Sequence, residues 1–107
     1  MGQLTKLSLR AAPVLKALGI KQNSQVWHRA MYNYLDLHVQ SPLAATAFLQ
    51  KIPEALRGGS RIEAFAKIRV DCYRNPSTGK LESVFSYAQL LADQRARAGS
   101  YDYKKRL

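Results

Sequence analysis

Carboxylates are scarce in this sequence, and none occurs before Asp36. The chain has 7 Asp and Glu against 17 Lys and Arg, which gives a formal net charge of +10 over 107 residues. Such an excess of one sign favours anionic partners such as nucleic acid, lipid headgroups or acidic protein surfaces. The few carboxylates are scattered, so no predicted face carries the pair that a glycosidase or a metal-dependent hydrolase needs.

Cysteine and histidine are equally rare, with one Cys and two His. The single Cys72 excludes an internal disulfide framework and is typical of a reducing compartment. It falls among apolar residues, so we expect it to pack as a small hydrophobe rather than to act as a nucleophile. His28 and His38 belong to no metal-binding motif. We therefore predict no enzymatic activity, no metal, no cofactor and no small-molecule substrate.

Long hydrophobic runs are also missing, because the longest charge-poor stretch, residues 39–50, is shorter than the roughly 18 residues that span a bilayer. The opening stretch instead alternates apolar residues at helical spacing with Lys6, Arg10, Lys16 and Lys21. An acid-free amphipathic start is typical of a mitochondrial import segment, although it also fits an ordinary basic helix docked on a partner. We expect a mitochondrial location, in the matrix or on the matrix side of the inner membrane.

Hydrophobic periodicity and capping residues predict four helices in one small domain, residues 1–99. Gly19 marks the end of the first helix, Asn23 or Ser24 starts the second, and Ser41 with Pro42 starts the third. Ser86 and Gln89 form a capping box before the fourth, for which Gly99 is the predicted stop. Trp27 lies on the apolar stripe of the second helix, which favours a core position over a stacking platform. The predicted helices span about 4–18, 24–39, 42–57 and 87–98.

A β-hairpin is predicted in the C-terminal half, over about residues 61–86. Apolar residues occupy the even positions from Ile62 to Cys72, and alternation over eleven residues predicts a strand with one buried face. Asn75 to Gly79 has the composition of a turn, and Lys80 to Ser86 can return as a second strand. The expected fold class is therefore mainly α with a β-hairpin, a small α+β domain followed by a basic arm at 100–107.

The basic residues of the hairpin and the arm are the predicted contacts with nucleic acid or partner subunits. Cations interleaved with aromatic residues on a strand face suit phosphate contact and base stacking, but they also fit a solvated face that protects an edge strand. The arm either orders on binding or is a disordered end. The candidate contact residues are Arg57, Arg61, Lys67, Arg69, Arg74, Lys80, Tyr101, Tyr103, Lys104, Lys105 and Arg106.

The thirteen residues LKALGIKQNSQVW, from Leu15 to Trp27, carry a family resemblance. Gly19, Lys21 and Trp27 match the N-terminal stretch of a supernumerary small-subunit protein of mitochondrial ribosomes, whereas the proline that closely precedes the family's Trp is absent here. The resemblance implies a non-catalytic ribosomal role in contact with rRNA and neighbouring proteins. It transfers no site residues.

Two hypotheses of function follow. The first is a structural subunit of the mitochondrial ribosome that contacts rRNA and other subunits through the basic hairpin and tail. The second is an accessory subunit of an inner-membrane respiratory-chain or ATP-synthase complex, whose positive charge faces an anionic membrane surface or acidic neighbours. In both hypotheses the partners are the other subunits of a large complex.

Overall fold

The computed structural model describes the backbone of residues 3–106 and the side chains of residues 6–100. Within that range the chain forms five helices and no strand. Helices α2, α3 and α4 surround the centre of the core, α1 packs principally on α2, and α5 packs on α4 and α2. In chain order the helices are α1 (Gln3–Ala17), α2 (Gln25–Gln40), α3 (Pro42–Arg57), α4 (Ile62–Asp71) and α5 (Tyr87–Arg106).

The predicted α+β class is wrong, because the segment predicted as the first strand of the hairpin is helix α4. Phe65 and Arg69, which strand alternation placed on the outward face, are both fully buried, and so is Val70. Helix α4 contacts α2, α3 and α5, so its buried residues cover most of its circumference. A helix buried on several sides shows no clear apolar stripe, and its hydrophobic residues can then match a period of two by coincidence.

The predicted turn at 75–79 does form, but it closes a loop rather than a hairpin. The backbone N–H of Asn75 donates to Lys80 O at 2.8 Å, and that of Glu82 donates to Tyr73 O at 2.7 Å. These bonds frame a single antiparallel bridge between Arg74 and Leu81. The connection 72–86 between α4 and α5 is therefore an irregular loop that one bridge ties together at its base.

The predicted starts of three helices are confirmed by their caps. Ser24 Oγ accepts the Trp27 N–H at 3.1 Å, and Ser41 Oγ accepts the Ala44 N–H at 3.2 Å. Ser86 and Gln89 exchange two bonds at the start of α5, as a capping box requires. A side-chain oxygen that accepts a first-turn N–H satisfies a backbone donor that has no partner within the helix.

Two glycines predicted to end helices have different outcomes. Gly19 has φ +80°, and the N–H of Ile20 donates back to Leu15 O at 3.1 Å, so the predicted end of α1 is confirmed. The stop predicted at Gly99 is wrong, because Gly99 does not adopt a positive φ and α5 continues to Arg106. Residues 100–106, predicted as an arm, thus continue the helix.

The core is formed by apolar residues from all of the first four helices. Leu7, Ala11 and Leu15 bury the inner side of α1. The Phe48 and Phe65 rings, from α3 and α4, stack with their centroids 6.3 Å apart. Trp27 is 6% exposed and belongs to the core, as predicted. The other large buried apolar side chains include Tyr34, Leu37, Ile52 and Ile68.

Candidate interaction surfaces

Arg69, one of the predicted contact residues, lies in the interior and joins three helices. Its Nη2 donates to Asp36 Oδ2 at 2.5 Å and to Gln40 Oε1 at 3.0 Å, both on α2. Its Nη1 donates to Asn33 Oδ1 at 2.7 Å, and its Nε donates to Gln94 Oε1 of α5 at 2.7 Å. The Arg69 guanidinium is fully buried and satisfied within the fold. It therefore has a structural role and is not available to a partner.

Asp36 is shared by a second cation. Arg97 Nη1 lies 3.4 Å from both Asp36 carboxylate oxygens, and Arg97 Nε lies 3.6 Å from Asp93 Oδ2. The Asp36 carboxylate thus balances the charge of the buried Arg69, and it also lies near the partly exposed Arg97. Asp93 and Arg97 have the i,i+4 spacing at which oppositely charged side chains meet on a helix surface.

Three other predicted cations lie on the surface around the junction of α3 and α4. Arg57, Arg61 and Lys67 are exposed. Arg61 and Lys67 line a shallow depression of about 300 Å³ that also includes three carboxylates. The surface around these cations is therefore of mixed sign, and its attraction for a polyanion is partly cancelled. The three carboxylates are Glu54, Glu63 and Asp71.

Arg74 and Lys80 belong to the loop 72–86. Arg74 Nε donates to Asp71 Oδ1 at 2.9 Å, and Arg74 Nη1 donates to Gly79 O at 3.0 Å. The same guanidinium carbon lies 5.8 Å from the centroid of the Tyr87 ring, within the range of a cation–π contact. Arg74 is thus engaged within the fold, whereas Lys80 is exposed at the turn. The side chains of the predicted contacts Tyr101, Tyr103, Lys104, Lys105 and Arg106 lie outside the described residues.

The outward side of α1 is a basic surface that the predicted contact residues do not include. Lys6, Arg10 and Lys16 are exposed on this helix, and Lys21 is exposed in the turn that follows. Leu9 lies among these cations and is 69% exposed. We call this surface the α1 face and define it by Lys6, Leu9, Arg10, Lys16 and Lys21. The signal that finds it in the sequence is helical spacing of cations in a segment without carboxylates.

The described carboxylates are mostly engaged elsewhere in the fold. Asp36 binds arginines of α4 and α5, and Asp71 binds Arg74. Glu63 accepts two bonds from Arg95, at 2.6 and 2.9 Å, and this hydrogen bonding lowers the pKa of the Glu63 carboxyl. Because the first carboxylate of the sequence is Asp36, no acidic side chain of α1 or of the first part of α2 offsets the α1 face.

An apolar tip projects from the loop 72–86. Val84 is 95% exposed and Phe85 is 57% exposed, although other groups of this loop are joined by hydrogen bonds. Asn75 Oδ1 accepts the N–H groups of Ser77 and Thr78, and Ser83 Oγ accepts the Phe85 N–H at 3.0 Å. Surface loops are common locations of binding residues, so this exposed apolar tip is a candidate contact.

The residues that could support chemistry are few and separate. Burial raises the pKa of the Cys72 thiol to about 12, so it is protonated and a poor nucleophile near neutral pH. Its position agrees with the predicted role as a small packed hydrophobe. No group of three His, Cys, Asp or Glu side chains close enough to hold a metal ion occurs among the described residues.

None of the helices in the described part of the chain is both long enough and apolar enough to cross a membrane. No protein-family model, no curated protein and no solved structure matches this chain.

Proposed function

We propose that this chain is a non-catalytic structural subunit of a large mitochondrial assembly, with the mitochondrial ribosome as the first candidate. In this role the chain contacts rRNA through the α1 face and neighbouring proteins through its other surfaces. The predicted hairpin has no part in the proposal, because that segment is helix α4.

The observation that carries the proposal is the separation of charge. The α1 face presents four exposed cations, while the carboxylates begin at Asp36 and are mostly paired with arginines of the fold. Cations without competing carboxylates attract phosphates, and binding gains free energy from the release of condensed counterions. Leu9 among these cations adds apolar surface that can contact a ribose or a neighbouring chain.

Two features support a mitochondrial ribosome in particular. The acid-free amphipathic start has the composition of an import segment. The stretch from Leu15 to Trp27 resembles the small-subunit ribosomal protein, and it spans the end of α1 and the start of α2. Because Leu7, Ala11 and Leu15 are buried, α1 is part of the folded domain and we propose that it stays on the mature chain.

The test is a titration of the full-length protein with a structured RNA stem-loop, at salt concentrations from about 50 to about 200 mM. If the four cations of the α1 face each contact one phosphate of the duplex stem, log K falls against log salt with a slope of about −3.6. Undetectable binding, or a flat slope, would rule out the RNA hypothesis.

A matched pair of variants separates the α1 face from net charge. The triple variant Lys6→Glu, Arg10→Glu, Lys16→Glu and the control Arg57→Glu, Arg61→Glu, Lys67→Glu each change the net charge by the same amount, and all six side chains are exposed. We expect the first variant to lose RNA affinity at least about tenfold more than the control. Equal losses would show that affinity follows total charge and not this face.

One observation favours the second candidate, an accessory subunit of an inner-membrane complex. Leu9, Val84 and Phe85 are strongly exposed apolar residues of a basic protein, a combination that suits an anionic lipid interface. Sedimentation of native extracts distinguishes the two candidates. Migration with ribosomal subunits supports the first, and migration with detergent-solubilised respiratory complexes or ATP synthase supports the second.

A further inference from the structure

A groove of about 920 Å³ runs between the outer face of α3 and the segment 71–82. Leu43, Ala47, Gln50 and Glu54 line the α3 side, spaced at i, i+4, i+7 and i+11. At 1.5 Å per residue this wall is about 16 Å long, or three helical turns. The groove thus has the length of a short helix.

The surface of the groove is partly apolar. Leu43 is 84% exposed, whereas Ala44 and Cys72, which also line the groove, are nearly buried. Both positions carry small side chains, which occupy less of the groove than larger side chains would. An exposed leucine beside a concave surface is the arrangement that receives the apolar side of an amphipathic helix.

The charge of the groove is opposite to that of the protein. Glu54, Asp71 and Glu82 line it together with Lys51 and Arg74, so three negative and two positive side chains give a net charge of −1. The whole chain has a net charge of +10. Asp71 and Arg74 pair with each other at 2.9 Å, which leaves Glu54 and Glu82 against Lys51.

We infer that the groove between α3 and the segment 71–82 binds a basic amphipathic helix of about three turns from a neighbouring protein. The apolar side of that helix covers Leu43 and Ala47, and its cations face Glu54 and Glu82. Phosphate chains are disfavoured here because the charged groups of the groove sum to a negative value. The inference is independent of RNA binding by the α1 face, and either can fail alone.

The probe is a fluorescein-labelled peptide of about 14 residues, in which Leu at helical spacing forms one side and Lys the other. A Lys-rich peptide is repelled by the positive net charge of the protein. Saturable binding at physiological salt therefore identifies a local site of negative charge. Fluorescence anisotropy with the full-length chain measures the dissociation constant. A scrambled peptide of the same composition, which has no apolar side, is the peptide control.

Two matched pairs of variants test whether the peptide binds in the groove. Leu43→Ser removes an exposed apolar side chain that lines the groove, and Val39→Ser removes one that is 78% exposed and does not line it. The double variant Glu54→Gln, Glu82→Gln is compared with the double variant Glu63→Gln, Asp93→Asn, which removes the same charge outside the groove. We expect Leu43→Ser and the double variant each to weaken binding about tenfold, and both controls to change it less than about twofold.

Three results of the peptide titrations would overturn the inference. The Lys-rich peptide does not bind, or it binds no better than its scrambled form, or Val39→Ser weakens binding as much as Leu43→Ser. Self-association would also overturn it: sedimentation that shows a dimer dispersed by Leu43→Ser would identify a second copy of this chain as the occupant. Loss of RNA binding in the α1-face variant leaves all of these measurements unchanged.

Discussion

Arg69 is predicted from the sequence as a surface contact, but it is buried and joins α4 to α2 and α5. A buried guanidinium is stable only when its donors are satisfied and its charge is balanced. Here Asp36 balances the charge, and Asn33, Gln40 and Gln94 accept the remaining described bonds. Since these partners come from α2 and α5, the cluster favours one register of both helices against α4.

The replacement Arg69→Met tests this role. The variant leaves Asn33 and Gln94 without their donor in a buried site, and Asp36 keeps only the longer contact with Arg97. We expect the free energy of unfolding to fall by about 3 kcal/mol, the range found when one partner of a buried ion pair is removed. Urea denaturation followed by circular dichroism measures this change.

Lys67→Met is the matched control, two residues earlier on the same helix. Strand alternation placed Lys67 and Arg69 on the same outward face, whereas in α4 Lys67 is exposed and Arg69 is fully buried. A surface substitution of this kind changes stability by less than about 0.5 kcal/mol. Similar losses in the two variants would contradict the buried position of Arg69.

Among the elements, the parts predicted correctly are those specified by local chemistry. The starts of α2, α3 and α5 depend on a serine that caps its own helix, and the end of α1 depends on Gly19. Such signals act over three or four residues, so they can be recognised in the sequence without knowledge of the tertiary fold. The helices of the first half were therefore predicted to within a residue or two of their observed bounds.

Helix α4 was mispredicted because its environment is set by distant parts of the chain. Helices α2, α3 and α5 together cover Phe65, Arg69 and Val70. No local sequence pattern indicates that α4 contacts three other helices. Arg69 is the clearest case, because its burial depends on Asn33 and Gln94, 36 and 25 residues away. The α1 face is absent from the predicted contact residues for a different reason: an acid-free amphipathic start is typical of an import segment, although it also fits a basic helix docked on a partner.

Gly99→Ala tests the continuity of α5. A Cβ at this position would lie 3.7 and 3.8 Å from two methyl carbons of Ile62, which is ordinary van der Waals contact. Alanine within a helix is favoured over glycine by about 0.5–1 kcal/mol, so we expect Gly99→Ala to be stabilising in thermal unfolding. Gly19→Ala is the control: a Cβ at Gly19 would meet no atom within 4 Å, but the φ of +80° makes alanine destabilising by about 1 kcal/mol. Destabilisation by Gly99→Ala would indicate that the helix ends there.

At the scale of the whole molecule, charge divides the surface into regions suited to different partners. The α1 face carries cations without acidic neighbours in sequence, whereas the groove beside α3 has a net charge of −1. A subunit with one phosphate-binding face and one groove for a basic helix can join RNA to a protein that is itself basic. This combination agrees with the proposed ribosomal role, in which neighbouring proteins also carry cations toward RNA.

The same charge excess predicts that salt stabilises the isolated chain. A net charge of +10 on 107 residues produces repulsion among cations, and added salt shortens the screening length to about 10 Å at 0.1 M. Salt also weakens exposed pairs such as Glu63–Arg95, but solvent-exposed ion pairs contribute little to stability. We therefore expect the melting temperature to rise by several degrees between about 10 and about 150 mM NaCl, on the scale of 4–8 °C per kcal/mol.

The double variant Lys21→Gln, Lys67→Gln is the control for this prediction, because it lowers the net charge at two exposed positions. With fewer cations to repel one another, the variant begins at a higher melting temperature in low salt and gains less from added NaCl. RNA affinity measured over the same salt range must fall while the melting temperature rises, since screening opposes both attraction to phosphate and self-repulsion. A melting temperature that falls as salt is added would mean that the paired arginines contribute more to stability than the unpaired cations cost.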